Sequence, residues 1–546
     1  MDSAVCLTLF LIVIAEDPVV GSVGLSPTYK LANDVTKGLV QSGQPYREIY
    51  TDLGLNGSDE VVGVADTGID SASCFVREED QNSELLELPV SNANASFYDK
   101  QRRKIIQYID YGDRFDYEKG HGSHVVGTIA GHCIECEGTG LSKQSMESYN
   151  GVAPAAKISF FDIGSAGGIL NIPLDAAVLL RPSYDSGARV FSVSWGGDFT
   201  YDGFTISVDE FVYEHPEFLF VAAAGNDGGH GPHSVISPGL AKNALTIGAS
   251  NTPRSAEQSR LEVAQFSSFG PTPDGRIKPD VVAPGHSTFS MRAGAEGIIE
   301  RTCDVVSKAG TSMATPAASG ASALVRQYFR DGAFWSSLCN NSHGLCRDAP
   351  FSPPGYLVKA VMIHSGDSLY EEEVTVPTSK VAGGDESLLS TAPDCTEFLC
   401  RSYKEGFGVI NLANVLSLRA KRTDLYVSLS QLRSYEQHLY RLYCDGSSHL
   451  KITLSWYDPP NIEFSAILLI NDLDLIVSHP NGEEVLGNHL FSSVTDNIGP
   501  DKVNNIEQIL ISDPYPGFWI VAVRSKLLCR SSPFQNFSVV VTGAVY

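Results

Sequence analysis

Positive charge is scarce in this 546-residue sequence: 39 Lys and Arg stand against 64 Asp and Glu, a formal net charge of -25. A nucleic-acid partner needs a basic face to meet phosphate, so this balance argues against that class of function. Long apolar runs are missing too. The run from Ala4 to Ala15 is too short for a bilayer-spanning helix, and no other is long and apolar enough, so no transmembrane segment is expected. Its length suits the apolar region of a signal peptide, although Asp2 stands where such a peptide carries positive charge. Residues 1–26 therefore read either as a signal peptide or as an N-terminal extension, for instance a strand or an incomplete start. Pairing of all cysteines is excluded by their odd number, eleven. If Cys6 leaves with a signal peptide, ten remain, and the spacings Cys339 to Cys346 and Cys395 to Cys400 suit local disulfides in an oxidising compartment. His132-Cys133-Ile134-Glu135-Cys136 has the form of half a zinc site, but no second ligand pair of suitable spacing follows, so a disulfide or free thiols are preferred.

What is present is the composition of an ordered globular protein, 43% hydrophobic and 19% charged, long enough for two or three domains. From about residue 27 to 418, short apolar strands alternate with helix-like segments. Strands are expected at Val61–Ala65, Ile158–Ile163, Val190–Ser194, Leu219–Ala223 and Leu245–Ala249, and helices at His121–Gly131, Ile172–Leu180, Val208–Glu214, Met313–Phe329 and Leu357–Ile363. Continuously apolar strands between helices indicate an α/β domain with a mainly parallel sheet covered on both faces. From 420 to 546 the pattern is strands alone, at Leu450–Trp456, Ala466–Ile470, Leu473–Val477, Ile506–Ile511, Trp519–Val523 and Phe537–Val541. That pattern reads as an all-β sandwich or jelly-roll domain.

Four segments carry chemistry. Lys308-Ala309-Gly310-Thr311-Ser312-Met313-Ala314-Thr315-Pro316 delivers Ser312 to the first turn of a small-residue helix. A serine there is a nucleophile only with a base to take its proton and a carboxylate to orient that base. His121-Gly122-Ser123-His124 opens a helix and supplies the imidazole, and the strand Val61–Ala65 runs into Asp66. A fourth strand, Leu219–Ala223, runs through Ala224-Gly225 into Asn226, whose amide NH2 has the chemistry of an oxyanion donor. Bland readings compete at each place: Ser312 as a helix cap, Asn226 as a turn residue, His121 as a structural histidine and Asp70 in place of Asp66. The length and context of the Ser312 string, and the position of Asp66 at a strand end, favour the chemical reading.

With Asp66, His121 and Ser312 in the chain order of subtilisin, the sequence resembles the subtilase family of serine endopeptidases. Ser192-Val193-Ser194-Trp195-Gly196-Gly197, Phe266-Ser267-Ser268-Phe269-Gly270-Pro271 and Lys278-Pro279-Asp280-Val281-Val282-Ala283-Pro284-Gly285 extend the likeness. Tyr29–Val35 and Asn471-Asp472-Leu473-Asp474-Leu475 resemble alkaline subtilases with a C-terminal β-barrel domain. The resemblance implies polypeptide substrates, with Asp66, His121, Ser312 and Asn226 as catalytic residues. It gives substrate binding to Ser194, Trp195, Gly196, Ala223, Ala224 and Gly225, the first three as a pairing strand and the small residues as room for an apolar side chain. Removing the equivalent amide donor from subtilisin costs roughly 2.7 to 4 kcal/mol. No cofactor or catalytic metal is implied. A structural calcium ion is possible, but Asp472 and Asp474 read first as a solvated strand face. A secreted or vesicular location is expected, and oligomeric state is left open. Secreted subtilases usually have an inhibitory prodomain, for which the residues before Asp66 leave little length. The competing functions are a catalytically silent pseudoprotease and an adhesion or binding protein working through the C-terminal β domain.

Overall fold

A run such as Val61-Val62-Gly63-Val64-Ala65 has no polar side to turn to water, and in the computed structural model it lies in the middle of a sheet covered on both faces. The structure describes residues 33–79, 87–94, 96–116, 119–133, 146–165, 167–253, 261–294, 301–332, 334–335, 350–369, 403–417, 425–489, 499–530 and 533–544. The expected extension at 1–26, the expected domain boundary at 418–420 and both short-range cysteine pairs lie outside them.

The sheet comprises β1 (Val61–Asp66), β2 (Val90–Ser91), β3 (Ile105–Asp110), β4 (Lys157–Asp162), β7 (Val190–Val193), β8 (Leu219–Ala223), β9 (Leu245–Asn251) and β10 (Val281–His286). A short hairpin, β5 (Gly164–Ser165) with β6 (Ile169–Leu170), stands apart from it. The sheet order is β10-β9-β8-β7-β1-β4-β3-β2, and each of these pairings is parallel. From β1 the chain passes to β2 at one edge, returns inward through β3 to β4 beside β1, then crosses to β7 and runs outward through β8 and β9 to β10. Asp66 ends β1 and Asn226 follows β8, both at carboxyl ends of strands, where ligands of open α/β sheets bind.

Among the described residues the helices that cover the sheet are α1 (Asn33–Ser42), α2 (His121–Ala130), α3 (Ala176–Ser186), α4 (Gly203–Glu214), α5 (Thr311–Arg330) and α6 (Gly355–His364). Successive residues of β1 point to opposite faces. Val62 and Val64 pack with α2, α5 and α6, whereas Ala65 packs with Leu179 and Leu180 of α3 and Phe211 and Val212 of α4. α5 is buried along nearly its whole length, which its Ala, Ser and Gly residues permit by letting neighbouring backbones approach. Helices α5 and α6 begin two residues before the expected Met313 and Leu357, and aspartate caps shift the starts of α3 and α4. Asp175 accepts from the Ala177 N–H and starts α3 at Ala176, and Asp202 accepts from Thr205 and starts α4 at Gly203.

An antiparallel pair, β11 (Thr288–Met291) with β12 (Val305–Lys308), leads into α5. The remaining strands are β13 (Tyr426–Leu432), β14 (Gln437–Cys444), β15 (Leu450–Ser455), β16 (Leu473–Ser478), β17 (Glu484–Leu486), β18 (Ile506–Ile511), β19 (Gly517–Ser525) and β20 (Gln535–Thr542). They form two four-stranded antiparallel sheets, β13-β20-β15-β18 and β14-β19-β16-β17, around a core containing Trp456 and Trp519. The strand expected at Ala466–Ile470 is absent. That segment is irregular, tied down by Asn461 Nδ2 donating to Ile467 O and Leu468 O and by the Asp458 carboxylate accepting from the Ile470 and Asn471 N–H groups.

The sandwich is bonded to the α/β part through buried polar groups. Lys242, fully buried, donates to the Asp458 carboxylate, to Pro459 O at 2.6 Å and to Leu468 O at 2.8 Å. The Asn243 side-chain amide donates to Asp458 O and accepts from the Asp458 N–H, and the Tyr457 hydroxyl donates to Phe218 O. His364, at the end of α6, sits between the Thr453 and Thr542 hydroxyls at 2.9 Å each. Breaking a buried pair leaves an uncompensated charge, which costs about 3 to 5 kcal/mol. Lys242→Ala is expected to lower unfolding free energy by about that amount, read by urea denaturation; a loss near the surface-pair level of about 1 kcal/mol would contradict it.

Candidate active site

Asp66 ends β1 with its carboxylate buried, and the donors gathered on its Oδ1 define the site. Oδ1 accepts from the Thr67 N–H at 2.8 Å and lies 2.7 Å from His121 Nδ1. His121 is the first residue of α2, and its ring is about a quarter exposed, with side-chain accessibility of 26% against 1% for Asp66. Burial works against the charged imidazole, but the Asp66 charge and hydrogen bond outweigh it, and the His121 pKa is raised above its ordinary value. With Nδ1 donating to Asp66, Nε2 is the nitrogen left to act as base.

Ser312 occupies the second position of α5, where a backbone N–H has no intrahelical acceptor. Its hydroxyl donates to Ser194 O at 2.8 Å and, among the described residues, makes no hydrogen bond with His121. Ser194 follows β7 directly, and the next residue, Trp195, donates its indole N–H to Ala65 O at 2.9 Å. The serine, the strand end and the aspartate are thus joined through Ser194, Trp195 and Ala65.

Asn226, exposed just past β8, accepts at Oδ1 from the Thr311 N–H at 2.9 Å and from the Thr311 hydroxyl at 3.2 Å. Among the described residues its NH2 end has no partner, so the bond that caps α5 also orients the amide donor beside Ser312. Ala224 and Gly225 do not offer a free backbone edge. Ala224 donates to Ile247 O and accepts from Ile236 N, while Gly225 donates to the Thr311 hydroxyl and accepts from Ser268 N. Their segment is the end of an interior strand. Ala223 and Ala224 are buried, and Gly225, at φ 112°, has no room for a side chain beside Ser268 and Ile236. Gly196 and Gly197 are exposed at the rim.

Other sequence candidates fall elsewhere. His124 is wholly buried, with Nε2 3.1 Å from Thr288 O and 3.2 Å from Val306 O, and burial drives its pKa down to about 3. Asp70 accepts from the Ala72 and Gly294 N–H groups. Asp472 and Asp474 do not form a solvated face: Asp474 is buried, and both turn to Lys526 Nζ, at 2.7 and 3.2 Å. Cys133 lies 3.5 Å from Cys74, which forms a disulfide with Cys303; the three sulfurs come together across 229 residues of sequence, beyond any local spacing signal. A cavity of about 360 Å³ lined by Phe199, Tyr201, Arg276 and Phe464 includes none of the sequence-predicted site residues. Sequence reading missed Thr67 and Thr311, since a threonine beside an active residue carries no signal until its acceptor is known.

The profile of the Peptidase_S8 subtilase family matches residues 57–381. The chain is similar to the serine protease/ABC transporter B family protein tagA of Dictyostelium discoideum, 27% identical over 90% of this chain and 31% of that protein. It is also similar to serine protease AprX of Bacillus subtilis, 29% identical over 38% of this chain and 49% of that protein. Against a structure of a point mutant of the PatA protease domain the TM-score is 0.40 at 18% identity, covering 66% of this chain and 95% of that one. The chain spans about a third of the length of its Dictyostelium relatives. No helix among the described residues is long and apolar enough to cross a membrane.

His124 sets a dependence of stability on pH. Its folded pKa lies below the ordinary 6.5, so between about 3 and 6.5 the unfolded chain binds a proton that the native state refuses. The contribution is complete above that window and is lost as pH falls through it. His124→Gln is expected to remove about 1.4 kcal/mol per pH unit from the slope of unfolding free energy against pH there, measured by urea titrations at several pH values.

Proposed function

Since the chain belongs to the subtilase family, a family of serine proteases, we propose that it is an endopeptidase that cleaves polypeptides through an acyl-enzyme on Ser312. The observation that carries this reading is the 2.7 Å bond between His121 Nδ1 and the buried Asp66 carboxylate. A carboxylate held there fixes the tautomer with Nε2 free and stabilises the imidazolium that forms during reaction.

In this reading the Ser312 hydroxyl turns from Ser194 O to His121 Nε2, gives up its proton and attacks the substrate carbonyl. The carbonyl oxygen becomes an oxyanion, received by the Asn226 NH2 and the Ser312 N–H. His121 returns the proton to the leaving amine, and water repeats the sequence on the ester, regenerating Ser312. Ser194, Trp195 and Gly196 provide main-chain partners for an extended substrate. A secreted or vesicular location belongs to the same proposal, supported by the Cys74–Cys303 disulfide, a bond of oxidising compartments.

A fluorophosphonate probe is expected to label the native protein at Ser312 and to leave Ser312→Ala unlabelled; labelling that survives the substitution removes Ser312 from the mechanism. Asn226→Ala should lower kcat by about 10² to 10³ with little change in KM, measured on a peptide substrate. Because His121 must be neutral and its pKa is raised, the acid limb of kcat/KM should have its midpoint above 6.5. A midpoint in the carboxylate range would assign the base elsewhere.

A further inference from the structure

α2 presents His121 at its first position, yet the helix has no cap of its own. The residue before it is Gly120, which has no side chain, and whose φ of 70° and contact with Ala293 leave no room for one. The first N–H groups of a helix need acceptors. Here they come from distant segments: the Gly122 N–H donates to the Thr67 hydroxyl at 3.0 Å, and the Ser123 N–H donates to Asp116 Oδ2 at 2.8 Å. Asp116 is itself buried, and its other oxygen accepts from the Thr67 hydroxyl at 2.7 Å. The sequence reading passed over Asp116, and the steps of acyl transfer do not use it.

Thr67 makes this a single unit with the Asp66–His121 pair. Its hydroxyl lies 3.2 Å from Asp66 Oδ1 as well as 2.7 Å from Asp116 Oδ1, and it has one proton to give. The shorter bond goes to Asp116, so the Asp66 oxygen facing His121 keeps its basicity instead of sharing it with a second hydroxyl.

We propose that Asp116 is a positioning residue for His121: it caps the helix that carries the imidazole, holds the Thr67 proton away from Asp66, and places a second negative charge beside the ring. This inference rests on the reading of His121 as the catalytic base. The charged and titratable groups that act on His121 are Asp66 from β1, Asp116 from the loop before α2, Lys308 from β12 and His124 on α2 itself, the last held neutral by burial. The two carboxylates raise the His121 pKa, and Lys308 lowers it. Burial pushes the Asp116 carboxyl up from its ordinary range, against the hydrogen bonds from Ser123 and Thr67.

Replacing Asp116 by Asn removes a negative charge near His121 and frees the Thr67 proton for Asp66. Both changes weaken the hold on the imidazolium, so both lower the His121 pKa. The test uses the full chain with ¹³C-labelled histidine, following the His121 ring resonance by NMR, assigned from its disappearance in His121→Asn. In Asp116→Asn the His121 titration should move to lower pH. The acid limb of kcat/KM should move with it, while kcat at the plateau falls about tenfold or more from misalignment and KM changes little. Asp116→Glu, which keeps the charge, should restore the titration midpoint toward that of the native protein. If Asp116→Asn does not fold, Asp116→Ser removes the same charge, retains an acceptor for the Ser123 N–H and should move the midpoint in the same direction. A lowered melting temperature with an unmoved His121 midpoint and unchanged kcat would overturn the proposal and leave Asp116 a structural cap. A native protein that fails to react with fluorophosphonate would count against the protease reading, while the NMR titration would still decide the role of Asp116.

Discussion

A carboxylate buried at the end of a parallel strand must find donors, and that requirement on Asp66 organises the site around it. The Thr67 N–H meets it from the turn after β1, and His121 meets it from the first position of α2. The ring can meet it only if α2 starts where it does, and that start depends on acceptors from Thr67 and Asp116 in place of a local cap. A helix that began one residue later would rotate the imidazole by about 100° about the axis. The orientation of the histidine therefore follows from the hydrogen-bonding demands of a strand end and a helix start, each satisfied by the other.

The same logic operates at Ser312. Asn226 caps α5 by accepting from the Thr311 N–H, and among the described residues its NH2 end has no partner. A single amide group satisfies a helix terminus with one end and presents a donor with the other. In the proposed mechanism such a donor is preorganised, because it is held by a bond the fold needs in any case. The two-sheet sandwich is tied to the α/β part through buried Lys242, Tyr457 and His364, whose bonds cross between the two.

Much of this was legible along the chain. Strands as apolar as β1, β8 and β9 announce a sheet buried on both faces, and the strings around Asp66, His121, Asn226 and Ser312 are specific enough to stand out without a structure. β14 was not legible, because its alternation of Gln437, Leu439, Arg441 and Tyr443 toward solvent with Tyr440, Leu442 and Cys444 inward contains no continuous apolar run. Ala466–Ile470 misled in the opposite direction: its apolar residues belong to a loop pinned by Asp458 and Asn461, whose bonds no periodicity reveals. Asp472 and Asp474 gained their meaning from Lys526, a residue far away in sequence.

Sequence by itself determined which residues have chemistry to offer and in what order they occur, because residue type and local periodicity are properties of neighbours along the chain. Tertiary structure decided which of them meet. It separated His121 from His124 by giving one a carboxylate and a partly open ring, and the other a closed apolar surrounding and a pKa of about 3. It brought Thr67 and Asp116 together and placed Cys74 beside Cys133 and Cys303. These are long-range pairings, and a hydrogen bond or a sulfur contact between distant segments exists only once a buried sheet has set the positions of both.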